Sequence, residues 1–171
     1  MFENIENLNK TASIAVSAFG VEGNAVFVQI SENATYFICQ NNKPKYTLRI
    51  CRPNYHTFEE LESEIQWLLN IDDVNICKPI SKNGEYVKKI NGCYCTMYKY
   101  IEGMADIEIE GNENLYIEIG RIAGLLHKNT IEKPFKAVRP KWSMENLIGK
   151  NGLWGDWRKT TVLNSQQKDI I

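Results

Sequence analysis

Two opposite charges raise the first chemical question. Arg49 stands near the end of Tyr46-Thr47-Leu48-Arg49-Ile50, a run of β-branched and aromatic residues that reads as a strand. Glu62 and Glu64 follow on the next periodic segment. A cation on a rigid strand can neutralise nucleotide phosphates, and a carboxylate beside it can hold that cation still. Phosphoryl transfer depends on charge fixed in this way. The planar fork of arginine can meet phosphate and carboxylate together. Helical spacing does not choose between Glu62 and Glu64, which flank the apolar stripe on opposite sides. Both also read as ordinary solvated carboxylates.

The elements that would carry these residues can be read in order. Residues 5–19 place Ile5, Leu8, Ala12, Ala15, Val16 and Phe19 at helical spacing, and Gly20 and Gly23 stop the segment. Residues 25–30 read as a strand, 31–34 as a loop, and 35–39 as its hairpin partner. Asn41-Asn42-Lys43-Pro44 reads as a turn before a third strand over 45–51. Thr57 and Glu60 have capping-box spacing, so each can satisfy a free N–H at the start of a helix with Phe58, Leu61, Ile65, Leu68 and Leu69 as its stripe. Asn83-Gly84 and Asn91-Gly92 are hairpin signals, which make residues 76–101 a three-stranded meander. Glu102-Gly103 ends the sheet. Leu115, Ile119, Ile122 and Leu126 mark a further helix, with Asn114 as its candidate cap and His127-Lys128 in its last turn. Residues 134–157, with Pro134, Pro140, Trp142, Trp154 and Trp157, are less periodic.

Composition narrows the class. Of the 171 residues, 43% are hydrophobic, enough for a core of useful size, and a net charge of −1 gives no global field to attract nucleic acid or an anionic membrane. The N-terminus carries no long apolar run, so no signal peptide or membrane span is expected. The five cysteines form no CxxC pair, and two histidines could not complete an evident metal site with them. They read as reduced thiols, buried for the most part, in a cytoplasmic protein.

Three features taken together resemble the N-terminal portion of the aminoglycoside phosphotransferase and homoserine kinase-like family. These are the stretch Ser31-Glu32-Asn33-Ala34-Thr35-Tyr36, the strand ending Leu48-Arg49, and the helix with Ser63-Glu64-Ile65-Gln66-Trp67-Leu68. Gly120 to His127 is similar to the family's helix ending in an L-A-x-L-H pattern. Arg139-Pro140-Lys141-Trp142 and Leu153-Trp154-Gly155-Asp156-Trp157 resemble a segment that some members carry before the catalytic loop. The resemblance implies an α+β fold: a protein-kinase-like N-terminal lobe, built of an antiparallel sheet plus one inserted helix, over residues 1–102. The first helices of an incomplete C-lobe would follow over 103–171. It implies ATP as cofactor, a small hydroxyl-bearing substrate, and no nucleic acid or membrane partner. It selects Glu64 as the partner of Arg49, where many members have lysine. Ser31 and Asn33 would cover the phosphates. The carbonyl of Lys99 and the N–H of Ile101 would face adenine, with Tyr98 at the back of the pocket. His127 would support the fold rather than act as a base.

The family's H-G-D-x-x-x-x-N loop and its later metal-binding aspartates have no counterpart here. Thr-Phe follows His56 and Lys-Asn follows His127. On that reading Mg2+ is expected, but its ligands lie in a missing half, carried by a second polypeptide or lost, and no catalytic or metal residue is assigned within the chain. The expected function is the ATP-binding part of a small-molecule phosphotransferase. The acceptor would be a hydroxyl of an amino alcohol, amino acid, sugar or aminoglycoside. A non-catalytic nucleotide-binding or interaction module, docking through the stripe of Leu115, Ile119, Ile122 and Leu126, is the alternative. A fold without an Arg49–Glu64 contact would instead mark an unrelated α+β domain.

Overall fold

The computed structural model describes residues 4–103 and 113–170. The chain divides into two compact units, Met1–Val138 and Arg139–Ile171. The expected boundary after residue 102 falls inside the first unit, beside residues 104–112, which lie outside the described ones.

The first unit is a five-stranded antiparallel sheet in the order β1-β2-β3-β5-β4. The strands are β1 (Asn24–Ile30), β2 (Asn33–Gln40), β3 (Lys43–Cys51), β4 (Val87–Ile90) and β5 (Cys93–Lys99). Helices α1 (Ile5–Phe19) and α2 (Phe58–Leu69) pack on its opposite faces, and α3 (Glu113–Glu132) follows. The expected α+β architecture, with one helix inserted after the third strand, is borne out.

Period-two alternation assigns the faces. Tyr36, Ile38, Leu48, Ile50, Cys95 and Met97 point to one side and join Leu8, Ala12, Ala15 and Phe19 of α1 in the larger core. Fully buried Tyr36 donates its hydroxyl to Asn9 Oδ1 at 2.8 Å, so its polar end is satisfied. On the other side Cys51 and Tyr98 meet Leu61 and Ile65 of α2 in a smaller core. The sheet therefore buries both faces, and the residues between the buried ones on the α2 side remain available to form a site.

Turn chemistry fixes the register. Asn83-Gly84 and Asn91-Gly92 both have positive φ, as a tight hairpin turn requires. Asn41 and Asn42 do the same work at φ 50° and 61°, so the turn is shorter than expected and Pro44 lies within β3. A register shift beside Cys39 accommodates Pro44, which has no N–H for the ladder. Gly23 is needed for another reason: at φ 136° an added Cβ would come 2.8 Å from the Cys39 carbonyl.

Three expectations are corrected. The meander has two strands, not three, because Pro79 makes only an isolated bridge to Tyr98. The flanking residues still hold to β5 through Ile80 N–H to the Met97 carbonyl (2.7 Å) and Lys99 N–H to the Lys78 carbonyl (2.8 Å). Asn114 is not a cap, since α3 already begins at Glu113. His127 is not in the last turn, since α3 continues to Glu132, and the helix dipole gives no reason for its presence.

Helix α2 starts where the sequence places it. Thr57 Oγ1 accepts from Glu60 N–H at 3.2 Å, and Glu60 Oε2 accepts from Thr57 N–H at 3.1 Å. His56 Nδ1 lies 3.2 Å from the same Glu60 oxygen. Thr57→Ala is expected to cost about 1 kcal/mol, read as a lower urea midpoint with unchanged slope.

The second unit is described by itself. It contains α4 (Met144–Ile148), one 3-10 turn (Trp157–Lys159) and α5 (Ser165–Lys168). Trp142 and Trp154 meet edge to face with ring centres 5.8 Å apart. Among the described residues of the whole chain no helix is long and apolar enough to cross a membrane.

Candidate functional site

Alternation along β3 puts Thr47, Arg49 and Cys51 on the side facing α2. Burial of Leu61, Ser63 and Ile65 roots α2 on the sheet and leaves Glu64 beside Arg49. The two side chains form a two-pronged ion pair, with Nη1 to Oε1 at 3.0 Å and Nη2 to Oε2 at 3.2 Å. The ambiguity between Glu62 and Glu64 is thereby resolved in favour of Glu64. Their side chains are 25% and 15% exposed, so the pair is partly withdrawn from water but open on one side.

A cavity of about 280 Å³ opens at this pair, lined by Thr35, Thr47, Arg49, Glu64, Leu68, Cys77 and Tyr98. The Arg49 guanidinium lies 5.9 Å from the centre of the Tyr98 ring. Burial opposes the Arg49 charge, but Tyr98 and Glu64 outweigh it and raise the pKa above its ordinary value. The cation therefore persists at every pH at which the fold would be studied. Burial likewise pushes the Tyr98 hydroxyl up, against the opposing effect of Arg49, so it stays protonated and able to donate. Arg49 Nε, Thr96 Oγ1 and Tyr98 Oη are buried, with the Thr96 and Tyr98 hydroxyls close enough to interact with each other and the Cys51 thiol against Arg49.

The strand edge adds backbone groups. Lys99 donates to the Lys78 carbonyl, whereas Tyr100 donates to the Lys45 carbonyl at 3.0 Å. The N–H and C=O of one strand residue point the same way. The Lys99 carbonyl therefore faces away from β3; β5 ends at Lys99, so strand alternation does not extend to Ile101.

The structure brings Arg49, Glu64 and Tyr98 together around one cavity. It does not place Ser31 or Asn33 among the lining residues. Asn33 is not in a loop: it pairs with Cys51 in the β2–β3 ladder, and Ala34 pairs with both Ile30 and Ile50. Only Ser31 and Glu32 remain outside the strands. The Ser31 N–H is already given to the Asn33 carbonyl at 3.0 Å. This turn is tied to the β3–α2 connection through Arg52 Nη2 to the Ser31 carbonyl (3.2 Å) and Tyr55 hydroxyl to Glu32 (2.8 Å).

Sequence reasoning missed Thr35, Thr47, Leu68 and Cys77. The two threonines were within reach, because counting by twos from Arg49 and across its register partner Thr35 selects them. Cys77 lies in an irregular stretch with no period to mark it. It is exposed, whereas Cys51, Cys93 and Cys95 are buried, and burial raises their thiol pKa values.

Helix α2 also contacts the later part of its unit. Trp67 Nε1 donates to Thr130 Oγ1 at 3.2 Å, and Ser63 Oγ accepts from Val138 N–H at 2.8 Å. Among the described residues no cluster of three or more His, Cys, Asp or Glu could hold a metal ion.

No family model matches the chain. Amicoumacin kinase of Bacillus subtilis (strain 168) is 29% identical over 140 residues, covering 77% of this chain and 41% of the relative. A solved structure of amicoumacin kinase hAmiN in complex with AMP-PNP, Ca2+ and Ami superposes with a TM-score of 0.65 and 20% identity, covering 82% of this chain and 47% of that one. The chain spans less than half the length of either protein. Its sheet with one inserted helix is the kinase-like fold of that neighbour, and the resemblance to phosphotransferases of the aminoglycoside phosphotransferase and homoserine kinase-like kind stands on both sequence and fold.

Proposed function

We propose that this chain is the nucleotide-binding part of an ATP-dependent small-molecule phosphotransferase. Residues 1–102 would form the nucleotide lobe and 103–171 the start of a helical lobe. The observation that carries the reading is the two-pronged Arg49–Glu64 pair at the mouth of a cavity. Glu64 fixes the guanidinium on a rigid strand, and the charge that remains toward the cavity meets the phosphates. Tyr98 closes the back of the cavity, while the Lys99 carbonyl and Ile101 N–H accept and donate along the adenine edge. The turn at Ser31 covers the phosphates, and Asn33 supports that turn from within the ladder. A divalent cation would neutralise the phosphates further, but the described residues offer no ligand cluster for one. Similarity to amicoumacin kinase favours amicoumacin or another small hydroxyl-bearing molecule as the acceptor.

Titration calorimetry with AMP-PNP tests the reading. Saturable binding at one site is expected, and no heat from either AMP-PNP or adenosine would overturn it. A chemical footprint gives a second check. Iodoacetamide should label exposed Cys77 before the buried Cys51, Cys93 and Cys95. Bound AMP-PNP should slow Cys77 labelling about tenfold or more by filling the cavity that Cys77 lines.

One observation favours a second reading as a non-catalytic binding or interaction module. Ile119 on the stripe of α3 is 61% exposed and Leu115 is 38% exposed. Self-association that depends on concentration and ignores Mg·ATP would support that reading over the first.

A further inference from the structure

The carbonyl end of a helix carries partial negative charge and unsatisfied acceptors. Helix α2 has no basic residue in its own last turn. Donors from elsewhere in the fold meet that end instead. Asn129 Nδ2 donates to the Asn70 carbonyl at 3.0 Å, and Lys133 Nζ donates to the same oxygen at 3.1 Å. Lys78 Nζ donates to the Ile71 carbonyl. Lys133 also pairs with Asp72 at 2.7 Å, which holds the Asp72 carboxyl below its usual range and the ammonium above its own. Asn129 is only 4% exposed, a position that asparagine occupies when its amide is committed to a partner.

We propose that Asn129 is a positioning residue that holds α2, and hence Glu64, in register with Arg49. This deepens the nucleotide reading and rests on it for its functional consequence. The ion pair engages both carboxylate oxygens at 3.0 and 3.2 Å, and a fork of that kind tolerates little displacement of either backbone. Helix α2 is fixed at its start by the Thr57 capping box. Its far end is fixed through Asn70 by Asn129 of α3 and by Lys133, one residue past the end of that helix. The partly exposed Lys133 can relax around a change, but the buried amide of Asn129 cannot.

Asn129→Asp tests the proposal, because it keeps the shape while replacing the donor with an anion aimed at a carbonyl. Hydrogen exchange over residues 58–69 should quicken about tenfold while α1 is unchanged. AMP-PNP affinity should fall about fivefold with adenosine affinity preserved, and the fall should vanish in a Glu64→Gln background. Lys133→Met should reproduce the effect more weakly and Lys133→Arg should restore it, which keeps the test alive if Asn129→Asp does not fold. Unchanged exchange in α2, an equal rise in α1 and α2, or the same AMP-PNP loss with and without Glu64 would each overturn the proposal. If the wild-type chain binds no AMP-PNP, the nucleotide reading falls and the exchange comparison alone decides whether Asn129 holds α2.

Discussion

Arg49→Met should weaken AMP-PNP binding by about tenfold to a hundredfold and leave adenosine binding nearly intact. Hydrogen bonds to charged groups contribute about 1.5–3 kcal/mol, and each 1.4 kcal/mol is a factor of ten. The variant also removes the Arg49 charge from beside Glu64, whose side chain is 15% exposed. Breaking a fully buried pair from one side costs about 3–5 kcal/mol. This pair is open to water on one side, so a loss of about 2 kcal/mol in stability is expected. The double variant Arg49→Met, Glu64→Leu separates the two effects. It should recover most of the stability, because an apolar pair of similar volume can replace an ion pair, and it should recover none of the AMP-PNP affinity. Calorimetry and urea unfolding on the same three proteins check this. Equal losses for AMP-PNP and adenosine would place the phosphates elsewhere.

Ile65→Ala should have the larger effect on the fold. Ile65 is fully buried in the smaller core with Leu61, Cys51 and Tyr98, one residue from Glu64. Truncation there should cost about 2–5 kcal/mol, because the removed methyl groups leave a cavity that a helix held at both ends cannot collapse into. The melting temperature should fall by roughly 10 °C. Ile117→Ala on α3, at 71% exposure, serves as the control and should change stability by less than about 0.5 kcal/mol. Scanning calorimetry reads both. A similar effect from the two variants would mean that α2 is not anchored through this core.

The parts of the fold that could be read in advance are those with a local cause. The capping box at Thr57 and Glu60 fixed the start of α2 because both groups act within one turn. The dipeptides Asn83-Gly84 and Asn91-Gly92 located two hairpin turns because positive φ restricts residue choice. The misread parts depend on partners distant in sequence. Whether residues 76–82 form a strand depends on how Pro79 meets β5, and the answer is a bridge. Asn33 looked like a loop residue because only the paired register of Cys51 shows that the ladder reaches it. His127 and Lys128 read as the last turn of α3, but the helix runs on to Glu132, and within that extra length Asn129 donates to the distant Asn70 carbonyl. At the site, helical spacing left Glu62 and Glu64 equivalent, and burial of Ser63 and Ile65 decided between them.

The most direct test of the account is a map of where AMP-PNP touches the chain, obtained from amide chemical shifts during titration. The account predicts shifts concentrated at Thr35, Thr47, Arg49, Tyr98, Lys99 and Ile101, around the cavity and along the adjoining strand edge, with α1 on the opposite face silent. Shifts centred on α1, or none at saturating AMP-PNP, would contradict it.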